Sequence, residues 1–174
     1  MELHRIQSSE DKMFAPVTAL YESSFIPVER REYADHLLAL SDSNFFMTAV
    51  TENSVSVGLM FYWESPEFIY LEHLAIMPDV REKGYGGKAV EQLKMLGKTV
   101  ILEIEPPENG ITETKRRRFY ENHGFVYNPF NHLQLHYRAN DPDCFLKIMS
   151  YPSALDDNAY DKFRGFLDCT VLHE

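Results

Sequence analysis

The feature of the sequence that most directly predicts chemistry is a glycine-containing turn between a strand-like and a helix-like segment. It reads Arg81-Glu82-Lys83-Gly84-Tyr85-Gly86-Gly87-Lys88. Glycines one residue apart let the chain turn tightly and leave its amides open to a ligand. The N–H groups that begin the following helix carry partial positive charge, which favours a phosphate or pyrophosphate group. The side chains of Arg81, Lys83 and Lys88 add positive charge nearby.

Two familiar phosphate-binding loops do not match this turn. A Walker loop requires Ser or Thr after its Gly-Lys pair, and Ala89 follows Gly87-Lys88 here. The dinucleotide fingerprint is met only in its GxGxxA form, by Gly84, Gly86 and Ala89, and it normally opens a Rossmann βαβ unit. Here the turn follows a predicted antiparallel meander instead. Because a glycine-rich turn can also be a purely structural connection, the turn alone does not decide the function.

The hydrophobic pattern places this turn in a mixed α+β domain. Strands are predicted at Leu3–Ile6, Phe45–Thr51, Ser56–Trp63, Glu67–Met77, Thr99–Ile104, Phe125–Tyr127, Leu133–Tyr137 and Phe145–Ser150. Helices are predicted at Glu10–Phe25, Val28–Leu40, Ala89–Leu96, Thr112–Asn122 and Asp156–Leu167. Short polar turns between the second, third and fourth strands predict the meander. The strand–loop–helix–strand order from Glu67 to Ile104 predicts a right-handed crossover between parallel strands.

Composition and charge narrow the function classes. A chain of 174 residues fits one domain, predicted over residues 1–174. The net charge of −10 argues against sequence-independent nucleic-acid binding, which needs an excess of Lys and Arg. Neither the two cysteines, Cys144 and Cys169, nor histidines such as His132 show metal-ligand spacing, and no apolar run reaches membrane-spanning length. The sequence predicts a cytoplasmic protein without metal, nucleic-acid or membrane partners, and it leaves a homodimer open.

Two ordered motifs of this chain resemble the GCN5-related N-acetyltransferase (GNAT) superfamily. The first runs from Leu74 to Gly87 and is similar to the family's Arg/Gln-x-x-Gly-x-Gly/Ala signature after a strand. The second, Phe119-Tyr120-Glu121-Asn122-His123-Gly124-Phe125, is similar to the family's aromatic-Tyr pair before Gly-Phe. The predicted strand Thr99–Ile104 lies between them, as in the family. The resemblance covers about residues 45–150 well and the first 44 residues loosely.

The resemblance implies a fold and an acetyl donor. The fold would be a central mixed, mostly antiparallel sheet, splayed around a β-α-β acetyl-CoA site and flanked by helices. The backbone of Leu74, Ala75 and Ile76 would bind the pantetheine arm of acetyl-CoA. The pyrophosphate would lie on the turn residues, which are Arg81, Glu82, Lys83, Gly84, Tyr85, Gly86 and Gly87. Many family members carry Asn seven residues before the motif tyrosine, where this chain has Glu113, so that contact is left unassigned.

Acetyl transfer to an amine requires the amine to be neutral. A Lys-like amine with a reference pKa of about 10.4 costs roughly 4.6 kcal/mol to deprotonate at pH 7, so a base helps. Candidate bases are Glu72, Glu103 and Glu105. Strand alternation directs carboxylates of the two adjacent strands to a common cleft, where they would act directly or through water. Glu72 could instead be a solvated surface residue. Glu103 lies in an apolar strand, where a carboxylate needs a partner, and Glu105 is expected to be a loop residue.

The remaining candidate roles also follow the resemblance. Tyr120 would donate to the departing thiolate, unless it is only a packed aromatic side chain. A backbone amide near Ile76 would stabilise the oxyanion. The basic run Lys115–Arg118 would contact the 3′-phosphate of CoA or an acidic partner, or would form a solvated helix face. Residues Val28–Leu40 and Asn128–Asp143 are expected to shape the acceptor pocket.

The sequence therefore predicts an acetyl-CoA-dependent N-acetyltransferase (EC 2.3.1.-) that transfers acetyl directly to a primary amine. The acceptor is a small molecule or a peptide that the sequence does not identify. A second hypothesis is a non-catalytic acyl-CoA-binding or sensing module on the same fold. A third is an interaction module whose glycine-rich turn is only structural.

Overall fold

A computed structural model describes residues 1–134 and 136–172, and this part of the chain forms seven strands and five α-helices. The strands are β1 (Glu2–Ile6), β2 (Phe45–Glu52), β3 (Val55–Glu64), β4 (Phe68–Ile76), β5 (Thr99–Ile104), β6 (Val126–Leu133) and β7 (Phe145–Tyr151). The helices are α1 (Phe14–Ser24), α2 (Tyr33–Ser41), α3 (Tyr85–Lys94), α4 (Ile111–Asn122) and α5 (Asp157–Phe166). A π-helical turn, Leu167–Val171, continues α5. No helix in these ranges is long and apolar enough to cross a membrane.

The strands form one mostly antiparallel sheet in the order β1-β2-β3-β4-β5-β7-β6. β1 pairs with β2, β2 with β3, β5 with β7, and β6 with β7, each antiparallel. β4 and β5 are neighbours in the sheet and are joined in sequence through α3, which is the connectivity of a crossover. The predicted mixed α+β class is confirmed.

The chain divides into two compact units, and the first contains Met1–Glu64 and Leu71–Leu96. Its core lies where α1 packs on β3, with Val17, Leu59 and Phe61 at 0 % exposure. α3 packs on the same strand through its apolar face. That face has helical spacing and consists of Gly87, Ala89, Val90 and Leu93.

The second unit contains residues 65–70 and the chain from Gly97 onward. Asp156 is the N-cap of α5, and its side chain accepts a hydrogen bond from the Ala159 amide at 2.8 Å. Phe163 of this helix is fully buried against the rings of Phe68 and Tyr70. β6 is the last strand in the sheet order, and it tolerates Pro129 because the pairing shifts register between Asn128 and His132.

Two predicted elements are corrected. The helix predicted at Val28–Leu40 is a 3₁₀ turn over Pro27–Glu29 followed by extended residues, and α2 begins only at Tyr33. The extended stretch carries Arg31, whose side chain pairs with a distant carboxylate described below. Of the strand predicted at Leu133–Tyr137, only Leu133 is a strand residue among the residues described, as the last residue of β6. Position 135 lies outside the described residues.

Other boundaries moved for local reasons. α1 starts at Phe14, after a turn in which the Asp11 carboxylate accepts from the Met13 amide at 2.8 Å. α3 starts at Tyr85, four residues before its predicted start, because Gly84 supplies a left-handed cap. The prediction of a single domain over residues 1–174 stays a prediction.

Candidate active site

The turn before α3 is open to solvent. Gly84 is the cap of α3 with φ 80°, and Glu82 also has a positive φ of 64°. A Cβ placed on Gly84 would meet no other atom within 4 Å, so the left-handed backbone, and not crowding, is what requires glycine there. Residues 81–84 are all exposed. The turn is therefore accessible to a ligand.

The amides of this turn have the arrangement that anion binding needs. The first cap hydrogen bond of α3 runs from the Lys88 amide to the Gly84 carbonyl at 3.1 Å. The amides of Tyr85, Gly86 and Gly87 precede it, so the helix offers them no acceptor four residues back. They lie where the helix dipole is positive. A group with negatively charged oxygens fits this cradle.

The basic side chains around the turn differ in their contacts. Arg81 closes the turn, since its Nε donates to the Ile76 carbonyl at 3.0 Å. Lys83 and Lys88 are exposed, and the Lys88 ammonium lies 5.5 Å from the centre of the Tyr85 ring. Arg81 therefore shapes the backbone, while the two lysines contribute charge.

Gly58 of β3 packs closely against the end of β4, and the sequence analysis did not single out this glycine. A Cβ on Gly58 would lie 2.6 Å from the Ala75 oxygen and 2.7 Å from Cδ1 of Ile76. The Met77 amide also donates to the Val57 carbonyl at 2.9 Å. Only glycine permits this approach, so Gly58 helps to set the backbone position of Ala75 and Ile76. Its signal in the sequence was a lone glycine inside a strand pattern.

Glu72 lies in a buried ionic cluster of the first unit. Its Oε1 is 2.6 Å from Nη1 of Arg31, and its Oε2 accepts from the Trp63 indole at 3.0 Å. The Arg31 and Glu72 side chains are only 4 % and 1 % exposed. The negative charge of Glu72 also helps burial to raise the pKa of Tyr21. Glu72 is therefore a buried member of an ion pair and not a solvated surface residue.

Glu103 lies in a second buried cluster, in the other unit. The Tyr70 hydroxyl donates to Oε2 of Glu103 at 2.5 Å, and Nε2 of His132 contacts Oε1. Nδ1 of His132 is 3.0 Å from the Tyr160 hydroxyl. The His132 side chain is fully buried, and that of Glu103 is 11 % exposed. The partners that an apolar strand requires for Glu103 are therefore Tyr70 and His132, and no sequence pattern indicates the histidine.

A small cavity borders this cluster and has room for about one water molecule. Tyr70 and Glu103 line it, together with Gln134, Tyr137, Leu167, Val171 and Leu172. His132 and Tyr160 do not line it. Glu103 therefore both lines the cavity and contacts the buried His132.

Tyr120 is buried in the second unit at 8 % exposure, with its ring against Phe119 and Phe125. Burial raises the pKa of Tyr120 to about 12; the nearby Arg116 lowers it and Glu105 raises it by smaller amounts. Full proton transfer from such a phenol to a thiolate with a Cys-like pKa of about 8.5 is uphill by roughly 5 kcal/mol. Tyr120 is thus suited to donate a hydrogen bond while keeping its proton.

Two arginines of the basic run and the third carboxylate, Glu105, form salt bridges. Arg116 pairs with Glu105. Nε of Arg117 lies 2.7 Å from Glu121, and its guanidinium lies 4.5 Å from the centre of the Tyr127 ring. Among residues 1–134 and 136–172, no group of three or more His, Cys, Asp or Glu side chains is placed to hold a metal ion.

Comparison with known proteins agrees with this geometry. The sequence model of the acetyltransferase (GNAT) domain matches residues 41–127. YjbC of Bacillus subtilis (strain 168), provisionally named an acetyltransferase, is 33 % identical over 106 residues, which are 60 % of this chain and 54 % of that protein. The chain thus spans about half the length of this curated relative.

Solved structures extend the match to the whole chain. A GNAT-family protein from Bacteroides thetaiotaomicron is 27 % identical with a TM-score of 0.91, covering 100 % of this chain and 99 % of that one. A GNAT acetyltransferase from Elizabethkingia anophelis, solved with acetyl-CoA bound, shares the fold at 12 % identity and a TM-score of 0.56, covering 86 % and 95 %. Because the family model matches half of the sequence and the fold agrees throughout, this chain belongs to the GNAT family of acetyltransferases.

Proposed function

We propose that the protein is an acetyl-CoA-dependent N-acetyltransferase that transfers the acetyl group directly to a primary amine. The observation that carries this proposal is the turn at Gly84, which is open to solvent and precedes three helix-starting amides. A pyrophosphate fits that cradle. Family membership and the acetyl-CoA found in the Elizabethkingia structure support the same donor.

The residues that would hold acetyl-CoA lie in the first unit. The amides of residues 82–87 would bind its pyrophosphate, with Lys83 and Lys88 adding charge. The backbone of Leu74, Ala75 and Ile76, positioned by Gly58, would bind the pantetheine arm, and an amide near Ile76 would face the developing oxyanion. When bound, acetyl-CoA supplies an acyl group activated as a thioester.

We assign the base role to Glu103 in preference to Glu72. Glu72 is balanced by Arg31 and is 1 % exposed, so its negative charge is already compensated inside the protein. Glu103 lines a cavity and contacts a phenol and an imidazole. Its carboxylate accepts the proton that the acceptor ammonium must lose. Tyr120 donates a hydrogen bond to the leaving sulfur.

A turnover assay tests this assignment. We expect release of free CoA thiol, followed with a thiol reagent, from acetyl-CoA and at least one amine of a panel: spermidine, Nα-acetyl-lysine, trialanine and kanamycin. We expect Glu103→Gln to lower kcat/KM by roughly 100-fold or more. Glu105→Gln serves as the matched control and should change it less than threefold, because Glu105 is paired with Arg116.

The outcomes separate the hypotheses. Acetyl-CoA binding without CoA release for any amine of the panel would favour the sensing module over the enzyme. Equal loss of activity in Glu103→Gln and Glu105→Gln would contradict the assignment of Glu103 as the base. Loss in Glu72→Gln of the pH dependence of kcat/KM, without loss of stability, would move the base to that residue.

A further inference from the structure

The contacts of the Glu103 cluster specify where its protons lie. A carboxylate has only acceptors, so the Tyr70 hydroxyl donates to Oε2 and Nε2–H of His132 donates to Oε1. In a neutral imidazole the other nitrogen is then an acceptor, and the Tyr160 hydroxyl donates to it at 3.0 Å. The Glu103 carboxylate thus selects the Nε2–H tautomer of His132, and Tyr160 orients the ring by donating to Nδ1.

We propose that His132, oriented by Tyr160, is the positioning residue of Glu103 and directs Oε2 to the acceptor amine; this rests on the proposed function. The cavity is lined by Tyr70 and Glu103 and by neither His132 nor Tyr160. The oxygen beside Tyr70 therefore faces the ligand side, while the oxygen beside His132 is held in the protein interior. The same division of roles orients the base in hydrolase triads.

The surroundings leave the carboxylate few alternatives to this orientation. β7 presents Leu146 and Ile148, which pair in register with His132 and Glu103 and are both buried. α5 presents Tyr160 together with Arg164, whose Nη1 donates to the Leu133 carbonyl at 2.6 Å. Burial raises the pKa of Tyr160, with Glu103 and Asp161 adding to the rise and Arg164 opposing it. The phenol therefore stays protonated, as a donor to His132 must.

The other polar side chains around the cavity come from the segment after β6 and from β4. Gln134 and Tyr137 line the cavity together with Tyr70. In the described part of the chain, no Lys or Arg is seen in contact with Glu103. A cation that enters the cavity therefore meets a carboxylate that lacks a guanidinium or ammonium partner. This favours an acceptor that presents an unhindered primary ammonium group.

The proton step balances without a further reactant. An N–H bond of the acceptor ammonium breaks, and an O–H bond forms at Oε2 of Glu103. The electron pair stays on nitrogen and makes it nucleophilic. The proton leaves Glu103 for solvent water once the product has left the cavity, and His132 keeps its own proton throughout.

The test is the pH profile of kcat/KM for the panel amine that the protein accepts, in wild type, His132→Leu, His132→Gln and Tyr127→Phe. We expect His132→Leu to lower kcat/KM at least tenfold at neutral pH. Its kcat/KM should rise about tenfold per pH unit toward the amine's own pKa, about 10.4 for a Lys-type amine, because the variant uses amine already neutral in solution. The kcat/KM of the wild type should level off at a lower pH than that of His132→Leu.

The other variants separate positioning from folding. His132→Gln retains an amide donor toward Oε1 and should recover most of the lost activity, whereas Tyr127→Phe, on the same strand, should match wild type. Acetyl-CoA binding, measured by calorimetry, should stay within twofold in all four proteins. A profile of unchanged shape in His132→Leu would overturn the positioning role alone. Absence of acetyl-CoA binding, or of turnover with any panel amine, in wild type would overturn the proposed function and this inference together.

Discussion

Replacing Glu72 by Gln is expected to destabilise the protein by about 3 kcal/mol or more, because it breaks a buried ion pair on one side only. Glu72 lies 2.6 Å from Arg31, and the two side chains are 1 % and 4 % exposed. Gln can still accept from the Trp63 indole, so the measured loss reports mainly the uncompensated guanidinium. Urea denaturation followed by circular dichroism gives the change in the free energy of unfolding.

The companion variants make this prediction specific. Arg31→Met/Glu72→Gln removes both charges and should recover most of the lost stability, to within about 1–2 kcal/mol of wild type. Glu91→Gln removes the carboxylate of the more exposed Glu91–Lys94 pair at 2.8 Å and should cost no more than about 0.5 kcal/mol. A loss below about 1 kcal/mol in Glu72→Gln, with a displaced pH profile of kcat/KM, would refute the structural role of Glu72.

Further predictions concern a phenol, a glycine and a histidine. Tyr120→Phe should lower kcat roughly 10- to 100-fold with unchanged acetyl-CoA affinity. The pH profile of kcat between pH 6 and 9 should keep its shape, because a phenol of pKa about 12 stays protonated there. A shift of that profile along the pH axis would contradict this prediction. Gly58→Ala should cost about 1–3 kcal/mol in urea denaturation, since its Cβ would lie 2.6 Å from the Ala75 oxygen, and equal stability would contradict the packing argument. Burial, aided by Arg31, lowers the pKa of His36 from 6.5 to about 4. Between these two pH values the unfolded chain binds a proton that the folded protein does not, so the free energy of unfolding should fall by about 3 kcal/mol as the pH drops through this range. His36→Phe should abolish that part of the pH dependence of unfolding.

Local patterns predicted much of the fold. Strand β5 was expected at the bounds that it has, because its apolar run is short and flanked by turn residues. The turn at Gly84 was expected to open a helix, and it does so through a left-handed cap. α2 was expected too early because Pro27 fits the first turn of a helix as well as it fits a 3₁₀ turn. Local propensity does not register the distant carboxylate that Arg31 pairs with.

The candidate site was less predictable because its contacts join distant parts of the sequence. Glu103 is predicted to need a partner, but that partner, His132, lies 29 residues away, and its sequence neighbourhood indicates no role. Glu72 was a candidate base on strand alternation alone, which does not reveal Arg31. Gly58 gained its meaning only from the approach of Ala75. Periodicity fixes the face on which a side chain lies, and the three-dimensional pairing decides what the side chain contacts there.

The central claim is that a pyrophosphate binds the amides after Gly84, and calorimetry with acetyl-CoA on two matched variants tests it most directly. Gly84 and Gly97 have similar left-handed φ angles, 80° and 76°, and a Cβ at either would meet no atom within 4 Å. Asp tolerates this conformation, so Gly84→Asp and Gly97→Asp should carry similar backbone costs. At roughly 6 Å and an effective dielectric constant of about 20, the new carboxylate would repel each phosphate charge by about 3 kcal/mol before salt screening. We predict that wild type and Gly97→Asp bind acetyl-CoA with equal affinity and that Gly84→Asp binds at least tenfold more weakly; equal binding by all three, or none by wild type at high micromolar concentration, would contradict the account.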